Sequence, residues 1–171
     1  NLPQKHGFAP PECPESWANP EFLHMTEWNP ENRGVVLPGV MREPAVSKVW
    51  ESFYHFKGIR SEHLATMIHP SAVISPSAKI GKGTWIHPNV TVWSMSRIGL
   101  CCHLNRNSSL GHHNVLGDFS RLNPGAHTAG FCIIGSRTTI GIGAVCIEKV
   151  SIGSRCMVGA GAVVVSDGLD H

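Results

Sequence analysis

From Ile68 onward the chain sets an aliphatic residue at nearly every sixth position. Cut into sixes it reads IHPSAV, ISPSAK, IGKGTW, IHPNVT, VWSMSR, IGLCCH, LNRNSS, LGHHNV, and so on to VGAGAV. The first position is Ile, Val or Leu in every hexad except those opening at Thr128 and Cys146. The fifth is nearly always Ala, Ser, Thr, Cys or Val, and the second is Gly in eight hexads. No insertion disturbs the phase. A period this short, held this long, predicts a solenoid, specifically a parallel β-helix of hexapeptides. Each hexad is one short strand and a turn, and three hexads make a triangular coil of 18 residues. The aliphatic first residue fills the interior, the small fifth residue fits near a corner, and glycine at the second position relieves the backbone at the turn. Coils stack about 4.8 Å apart, so residues 18 apart sit above one another. Cys102, Cys132 and Cys156 fall at the fifth position and Cys146 at the interior one, which makes them filling.

Residues 1–67 follow a different grammar. Residues 1–44 hold eight of the twelve prolines, a density that excludes long helices and central strands. "GVVLPGV" reads as one short strand. In "PAVSKVWESFYHFKGI" the residues Val46, Val49, Trp50, Phe53 and Phe56 fall at helical spacing before Gly58, predicting an amphipathic helix at about 45–57. The expected division is therefore an N-terminal segment, 1–67, and a β-helix domain, 68–168.

Composition narrows the functional classes. A formal charge of +2 with 15% charged residues gives no basic stripe, so nucleic acid is not an expected partner. There is no run of 18 apolar residues and no basic-then-apolar leader, so neither a membrane span nor secretion is expected. The six cysteines include no C-x-x-C and no framework spacing, and read as reduced residues of a cytoplasmic protein. The chain starts at Asn1 rather than Met, so residues preceding it are expected in the full protein.

Three stretches carry a family resemblance over residues 35–165. "MIHPSAVISPSAKIG" resembles an entry into a left-handed β-helix. "GHHNVLGDFSRLNPGAHTAG" resembles the active-site stretch E-H-[DE]-x-x-I-G-[DE]-F-x-H-x-x-P-G-A-x-x-A-G, and "GAGAVVVSD" resembles the closing coils. "LPGVMREPAVSKVWESFYHFKGI" is similar to the last strand and helix of the same family's first domain. The family is the sialic acid O-acetyltransferase (NeuD/PglD-type) group of sugar O- and N-acetyltransferases.

The resemblance implies acetyl transfer from acetyl-CoA, without a metal, to an amine or hydroxyl of a nucleotide-linked sugar. His112 falls on the general base, a task that suits imidazole at neutral pH. Gly130 falls on a backbone amide donor, and the 18-residue register independently sets it one coil above His112. The implied coenzyme A groove lies between subunits of a homotrimer, against Gly141, Ile142, Gly143, Ala144, Gly159 and Ala160, with Gly130 beside the thioester. Arg137 and Arg155, 18 apart, are candidates for its phosphates, or are solvated arginines on a β face. His113, Asp118 and Arg121 are candidates for substrate contact.

Departures accompany the match. The acids that usually flank the catalytic histidine are here Gly111 and His113, and Arg121 replaces a family histidine. The G-x-G-G-H-G loop of the family's first domain is absent from 1–67, so that substrate-holding half is expected to be truncated, replaced or supplied otherwise. His69 and His87, with Asn105 and Asn123 above them, form an expected structural ladder through turn hydrogen bonds. His127 is expected at a corner, within reach of a neighbouring subunit. Two other readings remain open: a non-catalytic trimeric β-helix scaffold, and a γ-type carbonic anhydrase-like zinc enzyme. The second needs an H-x4-H interval that His103, His112, His113 and His127 never show. No solenoid cysteine is set next to His112 by the register, which points to direct attack without an acyl-enzyme.

Overall fold

The computed structural model describes residues 59–167, together with Lys48 and Glu51. Of the helix expected at about 45–57, Lys48 and Glu51 are helical; its remaining positions, the "GVVLPGV" strand and the rest of residues 1–58 lie outside the described residues. After a short 3-10 helix at Ser61–His63, seventeen two-residue strands run from Met67–Ile68 to Val163–Val164. They form three parallel sheets of six, six and five strands. Each strand pairs with the one 18 residues away, as in Met67↔Trp85, His127↔Val145 and Ile133↔Ser151. The hexad frame is the structural frame.

We call the sheet that begins at Met67–Ile68 the first face, that beginning at Val73–Ile74 the second, and that beginning at Lys79–Ile80 the third. The first position of each hexad points inward. Leu104, Leu110, Leu116 and Leu122 are at most 1% exposed, and Ile134, Ile140 and Cys146 continue the column. Burying each leucine contributes roughly 1.5–3 kcal/mol. Thr128, the polar exception, is also buried.

The fifth positions of the inner coils are buried too, and most of the polar ones stitch coils together. Thr84, Ser96, Ser120 and Thr138 each donate a hydroxyl to a carbonyl 15 residues on. Each also accepts an N–H from the residue 18 on. A small hydroxyl at this position thus satisfies two buried backbone groups.

One expectation about glycine needs correction. Second-position glycines do not take the turn's special conformation; the fourth position does, and it is mostly not glycine, with φ 58° at His113, 60° at Phe131 and 61° at Arg137. What the second position needs is room. A Cβ on Gly117 would lie 2.5 Å from the Ser136 nitrogen, and one on Gly135 2.5 Å from that of Ser154. At these two glycines the next coil's backbone passes too close for any side chain.

Among the described residues no helix is long and apolar enough to cross a membrane.

Candidate active site

Turn 111–114 carries the chain from the second face to the third, and turn 129–132 repeats it one coil higher. Gly111 N–H donates to the Thr128 carbonyl (3.1 Å), Phe131 N–H to that of His112 (2.9 Å), and Lys149 N–H to that of Gly130 (2.9 Å). These bonds fix the coil step. The exposed His112 imidazole lies across the Cα of buried Gly130. A Cβ there would sit 2.5 Å from Nε2 and 3.0 Å from Nδ1, and would overlap Cε1. Gly130 is not at positive φ, so it is this contact rather than backbone strain that calls for glycine.

At two other third hexad positions the N–H is capped by the side chain one coil above. Asp118 Oδ1 accepts from Leu100 N–H (2.7 Å), and Ser154 Oγ from Ser136 N–H (3.2 Å). Above Gly130 stands Glu148, whose carboxylate lies 3.6 Å from Lys149 Nζ instead. Among the described residues no acceptor takes the Gly130 N–H. An imidazole nitrogen and an uncapped amide therefore lie side by side.

Two further rings frame His112. His113 Nδ1 is 3.1 Å from His112 Nδ1. The Phe131 ring stacks on His113 (centroids 4.8 Å apart, planes at 19°) and meets His112 edge-on (5.1 Å, 90°). Aromatic pairs favour both arrangements. Phe131 was not among the sequence-based candidates, since hexad spacing says nothing about which outward side chains touch.

The other candidates lie elsewhere on the prism. Asp118, Arg137 and Arg155 occupy the corner between the third and first faces. There the Asp118 carboxylate is held by Leu100 N–H. Arg137 Nη2 is 3.4 Å from Glu51 Oε1, and its guanidinium carbon is 5.8 Å from the Phe119 ring centre. Arg121 lies on the outside of the first face, between His103 and Thr139. Gly141 to Ala144, with Gly159 and Ala160, form the corner between the first and second faces. Gly141, Ile142, Gly159 and Ala160 line, with Arg121 and Asn123, a groove of about 450 Å³. His127 is exposed on a strand of the second face rather than at a corner. Within one chain, then, the sequence-based candidates fall into three sets, and of the substrate and cofactor candidates only His113 joins His112 and Gly130.

The histidine ladder also differs from expectation. His69 makes its turn bond to Ser71 (2.9 Å), but His87 Nε2 pairs with His103 Nε2 at 2.7 Å, beside Trp85. Burial first, then the neighbouring His87 and Arg121, brings the His103 imidazole down to about 4. Burial, then Arg106 and His69, lowers His87. Burial pushes the Cys102 thiol up to about 12 and that of Cys146 to about 11, so these sulfurs stay protonated at neutral pH. No three His, Cys, Asp or Glu side chains converge among the described residues.

No family model matches the chain, and no curated protein matches it. Solved structures do. PerB from Caulobacter crescentus, in complex with CoA and GDP-perosamine, superposes with a TM-score of 0.75 at 31% identity, covering 83% of this chain and 67% of that one. The acetyltransferase domain of PglB from Neisseria gonorrhoeae, in complex with acetyl coenzyme A, gives 0.75 at 31% identity, covering 85% and 68%. WeeI from Acinetobacter baumannii, at 23% identity and a TM-score of 0.58, covers 75% and 66% and shares the fold. The chain spans about two thirds of the length of the Caulobacter protein and of the Neisseria domain, from 64% to 68% across their structures. With its unbroken hexad coils and this likeness over four fifths of its length, the chain belongs to the left-handed β-helix sugar acetyltransferases of the sialic acid O-acetyltransferase (NeuD/PglD-type) family.

Proposed function

We propose that this protein transfers an acetyl group from acetyl-CoA to an amine or hydroxyl of a nucleotide-linked sugar, with His112 as general base. The observation that carries this is the His112 imidazole lying against Gly130, whose amide N–H has no acceptor among the described residues. A base and a hydrogen-bond donor side by side are what attack on a thioester carbonyl requires.

In this reading His112 donates its Nδ1–H to His113 Nδ1 across 3.1 Å, which leaves the lone pair on Nε2. The acceptor nitrogen or oxygen bonds to the thioester carbon while its proton passes to Nε2. The Gly130 amide hydrogen-bonds the carbonyl oxygen as it gains charge. The C–S bond then breaks, and the leaving sulfur takes the proton from the imidazolium. His113 stands where the family has an acid, and Phe131, stacked on it, keeps the accepting ring in place. No covalent enzyme intermediate is involved, in keeping with the Cys102 and Cys146 thiols held protonated by burial.

The groove at Gly141 and Gly159 takes the pantetheine arm, with Arg121 at its edge. Since that groove and His112 lie at different corners of one prism, the site is completed between subunits of a homotrimer. Exposed Val115, Ile133, Ile142 and Val145 on the outer surface support such packing. The donor and the free, mostly buried cysteines among the described residues support a cytoplasmic setting. Coenzyme A and a nucleotide sugar are also what the Caulobacter relative holds.

Mass spectrometry of products tests the reading. Nucleotide-linked amino sugars and their hydroxyl counterparts are incubated with acetyl-CoA and enzyme. An acetyl group gained by one of them supports it; no acetylated product from any, at full saturation with acetyl-CoA, overturns it.

A further inference from the structure

The repeat breaks its own grammar at two buried positions that touch each other. Asn114 is an amide where other coils carry a small residue, and Thr128 is polar where other coils are apolar; both are buried. Asn114 Nδ2 lies 2.7 Å from Thr128 Oγ1 and 2.9 Å from the Ala129 carbonyl, and Asn114 Oδ1 accepts from Cys132 N–H at 2.7 Å. The last two bonds are the pair that a serine or threonine hydroxyl makes at Ser96, Ser120 or Thr138. A hydroxyl at position 114 would therefore suffice to hold the coil. The amide carries one further buried proton, and Thr128 Oγ1 receives it; Gly111 N–H also donates to that oxygen (3.2 Å).

The location is as specific as the chemistry. Ala129 and Cys132, the backbone partners of Asn114, bracket Gly130 and Phe131. Asn114 and Gly111 bracket His112 and His113. The buried network thus spans both turns that carry the proposed base and the proposed amide donor, and clamps each to the other from beneath. A polar pair in the interior costs desolvation that a Ser–Val pair would not incur. Coils away from His112 do without it.

We infer that Asn114 and Thr128 are positioning residues, a buried clamp that holds the His112 imidazole and the Gly130 amide in register for transfer. The inference rests on the proposed acetyl transfer, and its test separates the two. Thr128→Val leaves an Asn114 N–H buried without an acceptor, while Thr128→Ser keeps the oxygen. The double variant Asn114→Ser, Thr128→Val restores the grammar of the other coils with no orphaned group.

The double variant is expected to melt at or above the wild-type temperature, with KM for acetyl-CoA within twofold. Its kcat is expected to fall about 10- to 100-fold, the scale of a sub-ångström to 1 Å misplacement. Thr128→Ser is expected to keep most of the kcat that Thr128→Val loses. A purely structural pair gives the opposite, with kcat returning alongside stability in the double variant, and that result overturns the inference. Equal losses in Thr128→Ser and Thr128→Val overturn it as well, since the hydrogen bond would then not matter. Wild-type enzyme without acetyl transfer to any acceptor refutes instead the function on which the inference rests.

Discussion

Gly130→Ala isolates the contact on which the proposed chemistry depends. The added methyl would stand 2.5 Å from His112 Nε2, against an ordinary carbon contact of about 3.5–4.0 Å. The ring must withdraw by about 1 Å, and, being on an exposed side chain, it has room to do so. The three atoms nearest the added methyl all belong to the His112 ring, and the backbone raises no objection, because Gly130 has no positive φ. Losing a glycine's freedom in the unfolded chain favours folding by about 0.4–1 kcal/mol. Melting temperature is therefore expected to hold or rise slightly. Activity is expected to fall, since about 1 Å of misplacement costs about 100-fold in rate, or about 2.7 kcal/mol of barrier. The Gly130 N–H survives the change, so the loss reports on the base. Gly117→Ala is the control. Its Cβ would meet the Ser136 backbone nitrogen at 2.5 Å, which cannot swing aside, so about 1–3 kcal/mol of stability is lost to overpacking. Steady-state kinetics with thermal melts of both variants decide the matter. A Gly130→Ala enzyme within threefold of wild-type kcat, or one that melts as early as Gly117→Ala, would refute the reasoning.

Replacing His113 by Phe keeps a ring for Phe131 to stack on but removes the acceptor for His112 Nδ1–H, and kcat is expected to fall about tenfold or more with KM unchanged. His113→Asp is expected to exceed His113→Phe, because a carboxylate also stabilises the imidazolium; equal rates in the two would contradict the assigned hydrogen bond. The His87–His103 pair sets a stability profile. Burial and its neighbours lower the His103 imidazole to about 4, below the unfolded value near 6.5, so between those values the unfolded chain binds the extra proton. Its stabilising contribution is thus complete above about pH 6.5 and lost as pH falls toward 4. Thermal melts should fall across that window and flatten in His103→Gln; an unchanged slope in the variant would count against the pair.

The fold was legible because it obeys one rule. Hexads starting at Ile86, Leu110 or Ile140 each put their first residue inside, and the 18-residue register by itself sets Gly130 over His112. The reason for second-position glycine was misread, since the approach of the next coil is a property of stacking and not of any one hexad. Partnerships between outward side chains were not legible either. His113 with Phe131, and His87 with His103, depend on rotamers that periodicity does not encode. Asp118 matched the motif, and the register already sets it one hexad on, at the next corner; what the register does not show is that its carboxylate is spent on Leu100 N–H. Asn114 and Thr128 were visible as irregularities of the repeat, but only the 2.7 Å bond between them shows that they are one feature.

The central claim is that His112 is the base of an acetyl transfer. Thiol release from acetyl-CoA, measured with nucleotide-linked amino sugars as acceptors, compares wild type with His112→Ala directly. Acceptor-dependent release that drops at least 100-fold in the variant, within the general-base range of about 10²–10⁴, with acetyl-CoA binding intact, is the expected result. Release at an equal rate in both proteins, or none from the wild type with any acceptor, would contradict it.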